Sequence, residues 1–234
     1  MDNLNQAYQA VWQRIRQAEA QACRTPNSVQ LLAVSKTKPI EAINALAELG
    51  QRAFGENYLQ ESLDKIALRP DLEWHFIGPI QSNKTRPIAE HFDWVESIDR
   101  LKIAQRLSEQ RPPNRPPIQA LLQVNISREA SKSGFLPEDF IAQVEPIMAL
   151  AGLQIRGLMA IPQVQADVEK QRVPFAQLRA LLLQMQQRWP QARLDTLSMG
   201  MSADLEAAIW EGTTQVRIGT DLFGARGESQ KLHV

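Results

Sequence analysis

Eight short runs rich in β-branched or aromatic residues recur along this chain, and each is followed by a stretch with helical periodicity. The runs are LLAVS (31–35), RAFGE (52–56), EWHFIG (73–78), DWVESI (93–98), IQALLQVNI (118–126), LQIRGLMAI (153–161), LDTLS (194–198) and TQVRIG (214–219). Strands that alternate with helices pair in parallel through helical crossovers. Eight βα units in 234 residues match a (β/α)8 barrel, whose usual size is about 250 residues. An open doubly wound sheet satisfies the same pattern, because periodicity does not fix closure. The expected fold is α/β, a single TIM barrel forming one domain over 1–234, with an extra N-terminal helix. That helix spans 4–22 and sets Leu4, Tyr8, Val11, Trp12 and Ile15 on one face.

The helices between the runs carry their own signals. Ile40, Ile43 and Leu46 recur at spacing three, with Pro39 in the first turn and Gly50 past the end. Asp99 is the expected N-cap ahead of Leu101, and Ser202 the expected N-cap ahead of Leu205, with Gly212 as the stop. Pro146 is expected to kink the helix that carries Phe140, Val144 and Ile147, and Pro174 to split the 167–189 region. The segment RPPNRPP (111–117) is a stiff surface loop, since a domain boundary there would leave two incomplete barrels.

Composition excludes several functions. Lys+Arg and Asp+Glu are both 26, so no net field gathers a nucleic-acid backbone. Cys23 is the single cysteine and is expected as a free thiol on a helix. His75, His91 and His233 are scattered, so no transition-metal site is expected. The start, MDNLNQAYQAV, lacks the pattern of a secretory signal, and no apolar run approaches the roughly 18 residues that span a membrane. A cytoplasmic, monomeric protein with no membrane partner is expected.

Ligands of parallel α/β folds bind at the C-terminal ends of the strands. Those ends carry Ser35-Lys36, Gly55-Glu56-Asn57, Gly78, the stretch SMGMS (198–202), and Gly219-Thr220 after Arg217. SMGMS leading into a helix offers hydroxyls, backbone N–H groups and a positive dipole end, which suits a phosphate. Phosphate sites in these barrels often form after strands seven and eight. Ordinary turn chemistry, with Ser202 as a cap and glycines for backbone freedom, explains each loop taken alone. Lys36 reads either as a solvated lysine at a strand end or as an amine held over the barrel mouth. In the second case it can attack a carbonyl and form a Schiff base, and the phosphate loops across the seam make a phosphorylated aldehyde its natural partner.

These residues are shared with a known family. The stretches LLAVSKTKP (31–39), FGENYLQE (54–61), WHFIGPIQSNK (74–84), VNISREASKSGF (125–135), GLMAIP (157–162), SMGMSADLEAAI (198–209) and VRIGTDLFGAR (216–226) resemble the pyridoxal phosphate homeostasis proteins. Those are single barrels similar to the N-terminal domain of alanine racemase. The resemblance covers nearly the whole chain. It implies pyridoxal 5′-phosphate bound as a Schiff base to Lys36. It implies phosphate contacts from Ser198, the backbone at Gly200, Gly219 and Thr220, with Arg217 facing the pyridine nitrogen and Asn57 lining the ring pocket.

Arg217 then limits the chemistry. A guanidinium only donates hydrogen bonds. A ring nitrogen paired with it stays unprotonated, and the ring is a poorer electron sink. Racemases that share the arginine add a tyrosine from another domain. Here only Tyr8 and Tyr58 exist, and little chain follows the eighth run. The expectation is a carrier with no catalytic residue, which takes part in cofactor homeostasis and hands the cofactor to apo-enzymes or amino acids. Three alternatives stay open. One is an amino-acid racemase whose second base is Lys38, Lys84, His75 or a partner's residue. The second is a regulatory interaction protein that uses the cofactor for shape or sensing. The third is a Schiff-base aldolase without cofactor.

Overall fold

The computed structural model describes residues 2–224; His233 and the last two residues of the 216–226 stretch lie outside the described residues. In chain order, α1 (Asp2–Gln21) leads into β1 (Gln30–Val34), α2 (Ile40–Glu48), β2 (Ala53–Glu56) and α3 (Leu59–Leu68). Then come β3 (Glu73–Phe76), a 3-10 turn at Ser82–Lys84, α4 (Thr85–His91), β4 (Trp94–Ile98) and α5 (Leu101–Gln110). They are followed by β5 (Ile118–Gln123), α6 (Phe140–Met148), β6 (Leu153–Met159) and α7 (Val168–Arg188). The last described elements are β7 (Thr196–Ser198), α8 (Leu205–Trp210), β8 (Gln215–Ile218) and α9 (Thr220–Phe223).

The eight strands form a closed parallel barrel in sequence order. All eight expected runs are strands, and the sheet closes where β1 pairs with β8, from Gln30 opposite Gln215 to Ala33 opposite Ile218. An open sheet is ruled out by that seam. Strand side chains alternate between the two faces of the sheet. One set, including Leu31, Ala33, Phe54, Trp74, Val95, Leu122, Val216 and Ile218, joins the helices in one buried apolar cluster. Helical residues such as Ile43, Leu46, Ile88, Ile103, Leu107, Val144, Leu178, Met185 and Ile209 supply the other half. α1 lies across the seam side and packs on α8, α9 and α2, with Tyr8, Val11, Ile15 and Ala18 buried.

The interior of the barrel is different. Bulky aliphatics usually fill it in layers. Here Leu32, Leu121 and Met159 are buried but lie outside the apolar cluster, and His75, Glu96, Ser198, Gln215 and Arg217 are buried too. This polar interior is linked by hydrogen bonds.

Several local expectations are corrected. α7 runs unbroken through Pro174. A proline removes one hydrogen bond, but Asp167 caps the first turn by accepting from the Lys170 amide at 3.0 Å. Beyond it, Phe175, Leu178, Leu181, Leu182 and Met185 hold the helix to the barrel. Pro146, expected to kink its helix, lies inside α6 without ending it. Arg100, not Asp99, is the N-cap of α5, and Asp99 pairs with the Arg100 guanidinium at 2.6 Å. α8 starts after Asp204 rather than Ser202, because the Asp204 carboxylate accepts from the Met201 amide at 2.7 Å and turns the loop first. Cys23 is exposed but lies past the end of α1, in a turn with φ 53°.

The loop 111–117 connects α5 to β5, and its arginines supply the donors its prolines lack. Arg111 donates from Nη1 to the carbonyls of Ala89 (2.7 Å) and Phe92 (2.9 Å), and from Nε to Pro116 (2.7 Å). Burial pulls its pKa down to about 10, still far above neutrality, so it remains a cation. Arg111→Ala leaves three carbonyls short of a charged donor. The expected cost is about 2 kcal/mol, read as a Tm lower by about 6 °C in thermal unfolding.

Candidate functional site

Four consecutive strands of the ring, β7, β8, β1 and β2, bring most of the expected site residues to one end of the barrel. Lys36 lies two residues past the end of β1, half-buried in a tight turn closed by the Lys38 amide donating to the Ser35 carbonyl at 3.0 Å. Ser35 still pairs with β2, its amide donating to Gly55 O at 3.0 Å. The turn's next residue, Thr37, has φ 63°, and its amide donates to Glu61 Oε1 at 2.7 Å. Lys38 donates from Nζ to the Phe223 carbonyl at 3.1 Å.

Asn57 follows β2 and is half-buried, and its Oδ1 is buried without a hydrogen-bond partner. Such an atom costs free energy unless a ligand or water meets it. The end of β3 packs directly on Asn57: a Cβ on Gly78 would lie 2.5 Å from the Asn57 carbonyl oxygen, so only glycine fits.

On β8, Arg217 is 4% exposed. Its Nη1 donates to Ser198 O (2.6 Å) and Ser198 Oγ (2.8 Å), and its Nη2 to Ala160 O (2.9 Å). Its Nε takes part in none of these bonds. Its amide donates to Gly200 O at 3.0 Å, so backbone and side chain are both pinned to the loop after β7. Burial lowers its pKa, with the charges of Glu96 and Asp204 acting the other way. Gly200 has φ +94°, and a Cβ there would lie 2.6 Å from that of Ala208. The close approach of this loop to α8 therefore requires glycine.

Ser198 does not present its hydroxyl at the mouth, contrary to the expected phosphate contact. It is fully buried and faces the interior. Its Oγ donates to Glu96 Oε2 (2.6 Å) and accepts from Arg217 and from Gln215 Nε2 (3.1 Å). In the same loop, Ser202 is half-buried, and its hydroxyl makes no hydrogen bond among the described residues. Gly219 caps α9, and Thr220 opens it and is exposed. The first N–H groups of such a turn have no partner within the helix.

Arg14 of α1 ties the β7 and β8 loops together. It pairs with Glu206 (2.8 Å) and Asp221 (2.6 Å) and donates to the Ser202 carbonyl (3.0 Å). Sequence reasoning missed this residue, since nothing distinguishes it from other charges on α1.

The polar interior lies beneath the mouth. His75 Nδ1 is 2.6 Å from Glu96 Oε1, and its Nε2 is 3.0 Å from Glu73 Oε1. Its ring stacks on Trp94 with centroids 5.1 Å apart. Burial, the largest influence, lowers its pKa, but the hydrogen bonds and charges of Glu73 and Glu96 outweigh it, and the pKa is raised to about 9. Burial pushes the Glu96 carboxyl up, yet His75, the Arg217 charge and the Ser198 hydroxyl bring it below its usual range. Gln215 Nε2 also donates to Glu96 Oε1 at 2.6 Å. Among the described residues, no group of three His, Cys, Asp or Glu side chains could hold a metal ion.

The family described as "Alanine racemase, N-terminal domain" matches residues 7–227. The pyridoxal phosphate homeostasis protein of Pseudomonas aeruginosa is 62% identical over 215 residues, covering 91% of each chain. That of Vibrio cholerae is 53% identical over 236 residues, covering 98% of this chain and 99% of its own. Among solved structures, PipY of Synechococcus elongatus with PLP bound superposes with a TM-score of 0.78 at 40% identity, covering 90% of this chain and 100% of its own.

Proposed function

This chain belongs to the alanine racemase N-terminal domain family and, within it, to the pyridoxal phosphate homeostasis proteins. From that premise we propose that it binds pyridoxal 5′-phosphate at the C-terminal mouth of the barrel, holds it reversibly through Lys36, and performs little turnover. The observation that carries the reading is the meeting of Lys36, Asn57, Arg217 and two glycine-bearing loops on adjacent strand ends, with Asn57 Oδ1 buried and unpartnered.

The residues present fit the cofactor. The Arg217 Nε remains to donate to the ring nitrogen, while its other two nitrogens lock the guanidinium in place. The unpartnered Asn57 amide oxygen would meet the ring's edge. The Gly200 and Gly219 backbones, Thr220 and, in place of Ser198, the Ser202 hydroxyl would hold the phosphate. When bound, the cofactor would supply an aldehyde, and Lys36 would supply the amine that holds it. An arginine at the ring nitrogen, as a pure donor, disfavours carbanion chemistry.

A second acid/base is also hard to find among the residues considered for one. His75 is sealed below the mouth, with both ring nitrogens engaged by carboxylates. Lys38 is turned to Phe223, Tyr8 is buried against Gln51, and Lys84 is exposed on the 3-10 turn. Reversible attachment without turnover suits a monomeric cytoplasmic carrier that passes the cofactor to apo-enzymes or amino acids. No helix among the described residues is long and apolar enough to cross a membrane.

The test is covalent trapping. Protein incubated with pyridoxal phosphate and reduced with borohydride is expected to carry one adduct per chain, and peptide mapping is expected to place it on Lys36. An adduct spread over surface lysines would defeat the site. Robust α-proton exchange of any amino acid by the loaded protein would defeat the carrier reading in favour of a racemase.

A further inference from the structure

Lysines are almost never fully buried unless paired, yet Lys65 of α3 is 6% exposed in the layer between helices and barrel. It gives its ammonium to three oxygens: Ser35 O at 2.9 Å, Glu56 Oε1 at 2.8 Å, and Glu61 Oε1. The same two carboxylates hold the chain on either side of Lys36. Glu56 Oε1 accepts from the Ser35 hydroxyl at 2.5 Å, and Glu61 Oε1 accepts from the Thr37 amide at 2.7 Å. The residue before Lys36 is thus held at its carbonyl and hydroxyl, and the residue after it at its amide.

Resting on the reading of Lys36 as the cofactor's tether, we propose that Lys65 is a positioning residue for Lys36, clamping with Glu56 and Glu61 the backbone on both sides of the amine. Two features argue against a merely space-filling ion cluster. Outside the cluster, the side-chain hydrogen bonds of Lys65, Glu56 and Glu61 go to residues 35 and 37. And Thr37 sits at φ 63°, a region a β-branched residue rarely enters. Such a conformation persists where surrounding contacts over-determine it, and the charge-assisted bond to Glu61 is the contact that does so. Burial pushes the Glu56 carboxyl above its usual range even with Lys65 beside it.

The test compares two readouts on the full-length protein. The first is the rate of borohydride-trapped adduct formation with pyridoxal phosphate. The second is the affinity for pyridoxine 5′-phosphate, which lacks the aldehyde and cannot attach. Lys65→Met and Glu61→Ala are expected to slow adduct formation about tenfold or more, the worth of one lost charge-assisted bond. Pyridoxine phosphate affinity should stay within about twofold, because the phosphate loops are untouched. Glu61→Gln, which keeps a carbonyl acceptor for the Thr37 amide, is expected to recover much of the rate. Glu61 lies on the half-exposed edge of the cluster, so its variants stay informative if Lys65→Met does not fold.

Wild-type adduct rates in the Glu61 and Lys65 variants would overturn the clamp while leaving the tether intact. Equal losses of rate and of pyridoxine phosphate affinity would also overturn it, by showing a general collapse of the site. A wild-type protein that binds pyridoxine phosphate but forms no adduct at Lys36 would remove the tether itself, and the clamp with it.

Discussion

Lys36→Ala protein, loaded with pyridoxal phosphate and reduced with borohydride, is expected to carry no adduct on the segment after β1, and to stay colourless where wild type absorbs in the visible. The expected loss is complete, because the reaction needs an amine and no other side chain replaces it there. Lys38 is the nearest in sequence, but its Nζ is committed to the Phe223 carbonyl and lies 5.9 Å from the centre of the Phe223 ring. The fold is expected to survive. Lys36 is half-buried in a turn whose backbone is held by its neighbours, and a substitution of that kind usually moves stability by less than about 1 kcal/mol. Intact protein mass after reduction reads the first outcome, and thermal unfolding the second. Transfer of the adduct to Lys38 in the variant would show that the mouth does not single out one amine.

Glu96→Ala is expected to have the largest effect on stability. Glu96 is fully buried and accepts from His75, Ser198 and Gln215 at once. Removing one member of a buried charge network leaves the others unpaired, which typically costs about 3–5 kcal/mol. For a chain of this size that is a Tm lower by roughly 10 °C. The variant should also lose the fixed position of Arg217, because Ser198 Oγ, which accepts from Arg217, is itself oriented by Glu96. A Tm within a degree or two of wild type would refute this account of the interior.

The same network gives the protein a defined pH dependence. The pKa of His75 is raised from 6.5 to about 9 in the folded state. A raised imidazolium binds its proton more tightly when folded, so its stabilising contribution is complete below about pH 6.5 and is lost as pH rises through about 9. The size is on the order of 3 kcal/mol. Urea unfolding between pH 6 and 10 is expected to show this decline, and His75→Gln to flatten it.

The barrel was legible because each strand contributes an apolar face to the outer cluster, and that face leaves a run of Leu, Val, Ile and aromatic residues. Most of the mouth was legible too: Lys36, Asn57, Arg217 and the two glycine loops sit where strand ends were expected. The failures are local competitions that a pattern does not rank. Ser202 and Asp99 are good caps by residue type, but Asp204 and Arg100 occupy the cap positions. Pro174 breaks isolated helices, yet here an N-cap and a buried face outweigh one lost hydrogen bond. The interior network was not legible. Glu73, His75, Glu96, Ser198 and Gln215 lie in four different strands, and only closure of the ring brings them together. The inward turn of Ser198 follows from those contacts, and no property of the serine itself announces it.

The seam between β8 and β1 gives the site a history as well as a place. Lys36 comes from the first strand and Thr220 from beyond the last, so the two halves of the mouth meet only when the ring shuts. Contacts between distant parts of a chain form late and slowly. If the mouth is the cofactor site proposed above, a chain still leaving the ribosome has its amine but no phosphate loops, and would capture no cofactor until β8 has docked. Once formed, the site favours the shut ring by mass action, since a ligand that binds only the closed form stabilises it. On that reading, cofactor supply would act on this protein as a folding partner, favouring the state in which its first strand is joined to its last.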